Sequence, residues 1–272
     1  MEKTGIKHAL LTAFFVLFVI FLYGPTATIV ILSFQGPGGG LTFPMVGLST
    51  HWFSRLFEPQ MVGDFAGSLE RSLILAAMVM VLSVCVALLA GLAFRRRFFG
   101  ATVLFYVVVS SLVVPSVLIS LGIGLMFSIA GIPATWYGSA LGAHLTWTLP
   151  FGVLIMFAVF NRFDRRFEEA ARDLGATPWQ TFRFVVLPLI LPSLVGVALF
   201  GFTLSYDEFA RTVMASGSLN TLPLEVFGMT TNVTTPVLYA LGTVTTGFSF
   251  AVILSCLAFV LLMRRRRGGA AA

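Results

Sequence analysis

Asn161 to Pro188 reads NRFDRRFEEAARDLGATPWQTFRFVVLP. The stretch is too polar to cross a bilayer and too regular to be a plain linker. Phe167, Ala170, Ala171 and Leu174 recur at i, i+3, i+4 and i+7, which is one apolar stripe of an amphipathic helix. Asp164, Arg165, Arg166, Glu168, Glu169, Arg172 and Asp173 surround that stripe. Gly175 follows where a helix commonly closes in the left-handed conformation. Thr177 then opens a capping box, with Pro178 at the first helical position and Gln180 three residues after the cap. The spacing predicts a short helix, a sharp glycine turn and a second helix running to Leu187-Pro188 and into the next apolar run. A short amphipathic helix of this kind either lies in a membrane interface or docks a cytoplasmic partner. The small Ala170 and Ala171 favour docking, because they allow close backbone approach.

The rest of the chain explains why the alternatives involve a membrane. Of 272 residues, 58% are hydrophobic and only 10% are charged, whereas a soluble domain carries about 25% charge. This excludes a soluble enzyme, a disordered chain and a coiled coil. A bilayer core about 30 Å thick needs roughly 20 apolar residues as helix. Six stretches qualify: about Ala9–Phe34, Ser72–Phe94, Ala101–Ala130, Gly138–Phe160, Leu189–Tyr206 (with a possible extension to Met214) and Leu238–Met263. The third contains Pro115, Gly122 and Gly124, and the fourth contains Pro150. The two prolines should kink their spans and free backbone carbonyls. The first stretch follows Lys3, Lys7 and His8, but at about 25 apolar residues it outruns a signal-peptide core. It is therefore expected to be an uncleaved span.

Charge sets the expected orientation. Lys3, Lys7, Arg95 to Arg97, Arg162, Arg165, Arg166, Arg172, Arg183 and Arg264 to Arg267 fall on one side, fourteen cations against Arg55, Arg71 and Arg211 on the other. The positive-inside rule then puts both termini in the cytoplasm. The net charge of +6 is a topology signal, and no nucleic-acid partner is expected. The outer side carries Glu58, Asp64, Glu70, Asp207, Glu208 and Glu225, so it is acidic on balance. Cys85 and Cys256 lie in apolar runs, and His8, His51 and His144 have no ligand spacing. Neither a disulfide framework nor a metal site is expected. His144, near Trp147, is expected to hydrogen-bond at the membrane interface, and Trp136 with Tyr137 to form part of an aromatic belt. No segment fits GxxxxGK[ST], so no nucleotide is expected on this chain.

Asp207 and Glu208 come about 17 residues after Ile190, roughly 25 Å along a helix. A carboxylate near hydrocarbon usually faces a bundle interior or water. The pair either draws a cation into a path through the membrane or answers Arg211, three and four residues on at salt-bridge spacing.

Glu169-Ala170-Ala171, then Gly175, then Leu187-Pro188 resembles the EAA loop of the membrane subunits of binding-protein-dependent ABC importers. The resemblance covers about residues 66–263. It implies an all-α polytopic membrane protein with six transmembrane helices, the type I ABC importer transmembrane domain. The implied domains are residues 1–65 (first span and outer loop), 66–263 (the type I core, with the EAA loop at 161–188) and 264–272 (a basic cytoplasmic tail). By position, Glu169, Ala170, Ala171 and Gly175 become the residues coupling the chain to an ATPase. The resemblance also implies the partners: a second permease subunit, two ATPase subunits that carry ATP and Mg, a soluble substrate-binding protein, and membrane lipid. The expected place is a bacterial inner membrane, in which the chain crosses several times. Such a subunit has no catalytic residue and binds no cofactor.

A narrower resemblance lies in Phe202-Thr-Leu-Ser-Tyr-Asp207-Glu208-Phe209, followed by Gly217 and Thr221-Leu222-Pro223. It is similar to permeases of spermidine/putrescine-type importers, which implies a small cationic or amine-bearing solute with Tyr206, Asp207 and Glu208 on its path. The same machinery also serves amino acid-like compounds, phosphonates, thiamine or iron. Two other classes compete: a membrane-embedded enzyme or sensor, which needs convergent acid and base groups within the spans, and an ion-coupled secondary transporter, which needs repeated broken helices.

Overall fold

The computed structural model describes residues 2–58, 63–96, 98–232 and 235–268. Arg97 and residues 269–272 of the basic tail lie outside the described residues. The helices in chain order are α1 (Glu2–Leu32), α2 (His51–Arg55), α3 (Phe65–Phe94), α4 (Ala101–Ser110), α5 (Ser116–Ile129), α6 (Ser139–Asn161), α7 (Arg166–Asp173), α8 (Pro178–Thr181), α9 (Leu187–Tyr206), α10 (Leu222–Asn232) and α11 (Val237–Gly268). A π-helical segment, Phe182–Val186, joins α8 to α9 without a break.

All six apolar stretches are helical, but not all as single rods. Among the described residues, five segments are long and apolar enough to cross a membrane: Lys7–Leu32, Phe65–Phe94, Ser139–Asn161, Pro178–Tyr206 and Val237–Ser255. The third stretch, expected as one kinked span, is instead two shorter helices, α4 and α5. Pro115 is the cause, because it sits as the N-cap of α5 with ψ 129°. Its ring also pushes the residue before it out of the helical region. Pro150 behaves differently and stays inside an unbroken α6. Proline has no N–H, so the carbonyl of Thr146, four residues back, loses its helical donor. The Ser111 hydroxyl, at the break between α4 and α5, approaches that carbonyl at 3.3 Å. That hydroxyl is closer to the Val108 carbonyl, at 2.7 Å, and its single proton goes there.

The chain divides into two compact units, residues 1–66 with 226–250 and residues 67–225 with 251–272. In the first, the loop after α1 is organised by buried Gln35. Its amide donates to the Gly40 carbonyl at 3.1 Å and accepts the Val46 N–H at 2.8 Å. The Tyr239 hydroxyl donates to the Leu41 carbonyl at 2.5 Å.

The second unit carries the core. Ala87 of α3, Met156 and Phe160 of α6, Val186 of the π segment, and Ile190, Leu194 and Val197 of α9 form one buried cluster. Leu75, Val79, Ala140, Ala143 and Ala215 form another. Small residues set the spacing between helices. A Cβ at Gly152 of α6 would stand 2.9 Å from the Ala87 Cβ and 3.3 Å from Val197 Cγ1. Overpacking a core costs about 1–3 kcal/mol, so Gly152→Val is expected to lower the thermal midpoint of the purified chain in detergent. An unchanged midpoint would mean that the α3–α6–α9 contact yields freely. Buried hydroxyls pair across these helices: the Ser83 hydroxyl donates to Thr148 Oγ1 at 2.9 Å.

Candidate functional site: an exposed amphipathic loop and a clamped acidic loop

The loop of residues 161–188 folds as its local chemistry dictates. After α7 the Gly175 N–H donates to the Arg172 carbonyl at 2.8 Å and the Ala176 N–H to the Ala171 carbonyl at 3.0 Å. This is the paired closure of a Schellman motif. It places Gly175 at φ +83°, where a Cβ would meet no atom within 4 Å. Glycine is therefore required by backbone conformation and not by crowding. The capping box is complete: Gln180 N–H to Thr177 Oγ1 at 3.3 Å, and Thr177 N–H to Gln180 Oε1 at 2.8 Å.

One side of α7 is held. Glu168 pairs with Arg95, at the end of α3, at 2.7 Å, and Arg95 lies over the rings of Phe160 and Phe163. The Arg165 guanidinium donates to the Arg95 carbonyl at 3.0 Å. The opposite side is uncovered. Phe167 is 55% and Leu174 90% exposed, Glu169, Ala170 and Gly175 are exposed, and Ala171 is half-buried. The apolar stripe thus points away from the chain that carries it.

The second candidate region lies at the far end of α9, 20 residues or about 30 Å along the helix. The possible extension to Met214 is not helical. The helix ends at Tyr206, and the chain turns back through residues 207–219 as an irregular loop. Irregular backbone at membrane depth must have its polar groups met by protein, and this loop is clamped from several helices. Ser120 of α5 accepts the Met214 N–H at 2.9 Å. Ser139 of α6 donates to the Ala215 carbonyl at 2.6 Å. A Cβ at Gly124 would collide with the Met214 carbonyl.

His144 completes the clamp. It is buried in the protein interior rather than lying at an interface as expected. Its Nδ1 is 2.8 Å from the Ser205 hydroxyl and its Nε2 2.8 Å from the Thr212 hydroxyl. The single Thr212 proton goes to the Glu208 carbonyl at 2.6 Å, so Nε2 is the donor to Thr212. Truncating His144 to Ala should leave both hydroxyls buried and half-met, at about 1–3 kcal/mol for each unsatisfied group. The expected readout is a lower thermal midpoint, together with faster proteolysis within residues 207–219. Unchanged cleavage would mean that the clamp does not depend on the imidazole.

The expected Arg211 ion pair does not form. Arg211 is fully buried, and its Nη1 donates to Thr146 Oγ1 at 2.6 Å. Its guanidinium carbon lies 5.0 Å from the centroid of the Trp147 ring, a cation–π distance. Glu208 accepts instead the backbone N–H of Arg211, at 2.9 Å. Spacing of three or four residues brings side chains together only on a helix, and the helix has already ended. Asp207 is exposed and Glu208 half-buried, while Tyr206 is buried and stacked on Phe202 with ring centroids 6.1 Å apart. Burial thus rises from Asp207 through Glu208 to Tyr206. Sequence reasoning missed Thr146, Ser205 and Thr212 as clamp residues; their only signal was hydroxyl residues within apolar runs.

Among the described residues, long apolar helices dominate, and an exposed amphipathic loop precedes the last two of them. Residues 83–266 match the family described as binding-protein-dependent transport system inner membrane component. The chain belongs to that family. It is 32% identical over 253 residues to the spermidine/putrescine transport system permease protein PotC of Haemophilus influenzae, covering 91% of this chain and 95% of that one. It is 30% identical to the putrescine transport system permease protein PotI of Escherichia coli K12, covering 84% and 82%. In fold it matches a chain in the crystal structure of a bacterial ABC transporter that imports the acidic polysaccharide alginate, with TM-score 0.70, 16% identity, and 97% and 96% coverage. The chain is a multi-pass inner-membrane transport subunit of the ABC importer type. The ion-coupled and embedded-enzyme alternatives give way to this assignment.

Proposed function

We propose that this chain forms half of the translocation pore of an importer for a small amine-bearing cation of the polyamine class. The single observation that carries the substrate class is the acidic pair. Asp207 and Glu208 end a spanning helix, and the cation expected to neutralise them is turned away onto Thr146 and Trp147. The names of the relatives point the same way. A desolvated ammonium needs a carboxylate to offset its lost hydration, and two carboxylates without a guanidinium partner can offer one.

In this reading a second permease subunit completes the pore. Two ATPase subunits bind ATP and Mg, and a soluble binding protein delivers solute at the outer face. The exposed stripe of α7 enters a groove on an ATPase subunit, with Glu169, Ala170, Ala171 and Gly175 as the coupling residues. ATP-driven closure of the ATPases moves α7, and α8 with the π segment carries that movement into α9. The permease itself makes and breaks no covalent bond.

The experiment that tests the assignment is uptake of radiolabelled spermidine and putrescine by cells lacking their own polyamine importers and expressing this chain with its partner genes. Saturable, ATP-dependent uptake of either is expected. Its absence, with uptake of an uncharged or anionic solute instead, overturns the substrate class.

Orientation has its own test. In a background free of Cys85 and Cys256, single cysteines at Gly38 and Ser218 should react with an impermeant maleimide from outside. Cysteines at Phe99 and Leu174 should react only after permeabilisation. Outside labelling at Leu174 would reverse the topology and remove α7 from the reach of any cytoplasmic ATPase.

A further inference from the structure

Arg211 has unusual surroundings. Its Nε and Nη2 are buried without a hydrogen-bond acceptor, and Nη1 has only a neutral hydroxyl. The Nε1 of Trp147, whose ring faces the guanidinium, is also buried without an acceptor. Meanwhile Glu208, three residues before it, points a carboxylate oxygen at the Arg211 backbone N–H. Glu208 also acts electrostatically on the guanidinium. Cation and anion on one short loop are thus kept apart in a setting where pairing would be strong. A guanidinium has five donors, and this one leaves two nitrogens unmet beside a carboxylate that binds backbone.

We propose that Arg211 is a displaceable internal counter-ion, which competes with an ammonium group of the solute for Glu208. The proposal rests on the reading of the solute as a cation. In the arrangement seen here the guanidinium is withdrawn onto Thr146 and the Trp147 face, so Glu208 is open to an ammonium. In the releasing arrangement the guanidinium turns to Glu208, gains the acceptor it lacks here, and replaces the solute. The carboxylate is never left bare, and the solute leaves a neutralised site. Asp207, exposed at the end of α9, supplies first attraction; Glu208 is the exchange point. The device consists of side-chain rotation and ion exchange, with no proton or covalent step.

The test uses the complete transporter in proteoliposomes with radiolabelled spermidine as probe. Arg211→Gln should lower maximal uptake about tenfold with an unchanged or lower KM, the signature of slowed release. More spermidine should remain on the purified complex after ATP addition. Arg211→Lys keeps a cation and should retain most of the rate. Glu208→Gln should abolish the competition, so the Glu208→Gln/Arg211→Gln double variant should be no slower than Glu208→Gln alone. A purely structural Arg211 predicts equal losses for Lys and Gln, with a fall in thermal midpoint. That result overturns the proposal, as does wild-type uptake in Arg211→Gln, or additive losses in the double variant. If Asp207→Asn and Glu208→Gln both transport normally, the cationic-solute reading itself fails. If they are defective but Arg211→Gln is not, only the counter-ion proposal fails.

Discussion

Gly175→Val should abolish transport in a chain that still inserts and accumulates. Gly175 sits at φ +83° and closes the Schellman turn between α7 and α8. An L-residue in that region costs about 1–2 kcal/mol, and a β-branched one is an outlier there. The strain falls on the turn that joins exposed α7 to the helix that runs on into α9. The backbone is expected to relieve it by opening the turn, which redirects α7. Uptake should fall at least about tenfold, equivalent to about 1.4 kcal/mol. The position distinguishes conformation from bulk, because a Cβ there would touch nothing within 4 Å. Asparagine visits the left-handed region readily, so Gly175→Asn should keep most activity. Wild-type uptake in the valine variant, or equal failure of both, would remove the glycine turn from the coupling scheme.

The second large effect is expected at the acidic pair. Asp207→Asn and Glu208→Gln preserve size and remove charge. At least one should reduce uptake of a polyamine about tenfold, or about 1.4 kcal/mol in transition-state terms, while ATPase subunits still co-purify. Glu208 should respond more strongly, since Asp207 is exposed and Glu208 is half-buried. The structure has already removed the simplest alternative, a carboxylate held by the Arg211 guanidinium, because that side chain bonds Thr146. Two silent amide variants would leave the relatives' names as the sole support for a cationic solute.

What the sequence revealed and what it hid follow a physical division. Residues 166–181 of the loop are legible in the sequence because their determinants are local, whereas the π segment at Phe182–Val186 is not. Stripe, glycine closure and capping box each depend on residues within seven positions. The apolar stretches were legible by length and composition. The break at Pro115 was only half legible: a proline inside a span is compatible with a kink or with two helices. Pro150 shows the other outcome, in an unbroken helix. Least legible was the loop after Tyr206. It is pinned by Ser120, Ser139 and His144, which lie some 60 to 95 positions earlier in the chain. The three- and four-residue spacing of Asp207 and Glu208 to Arg211 brings side chains together only on a helix, and the helix ends at Tyr206.

The π segment between α8 and α9 has a bearing on how such a chain tolerates change. A turn of π-helix holds roughly one residue more than an α-turn, and each residue advances a helix by about 100°. Phe182–Val186 therefore acts as a phase setter. It fixes which compass direction every later side chain of α9 takes, from buried Ile190 to the carboxylates beyond Tyr206. Converting it to α-helix at the same length would misaim everything downstream of it by about a quarter of a revolution. An engineered chimera that exchanges coupling loops between two importers thus needs its splice point placed ahead of Phe182, so that the helix inherits its own angular origin.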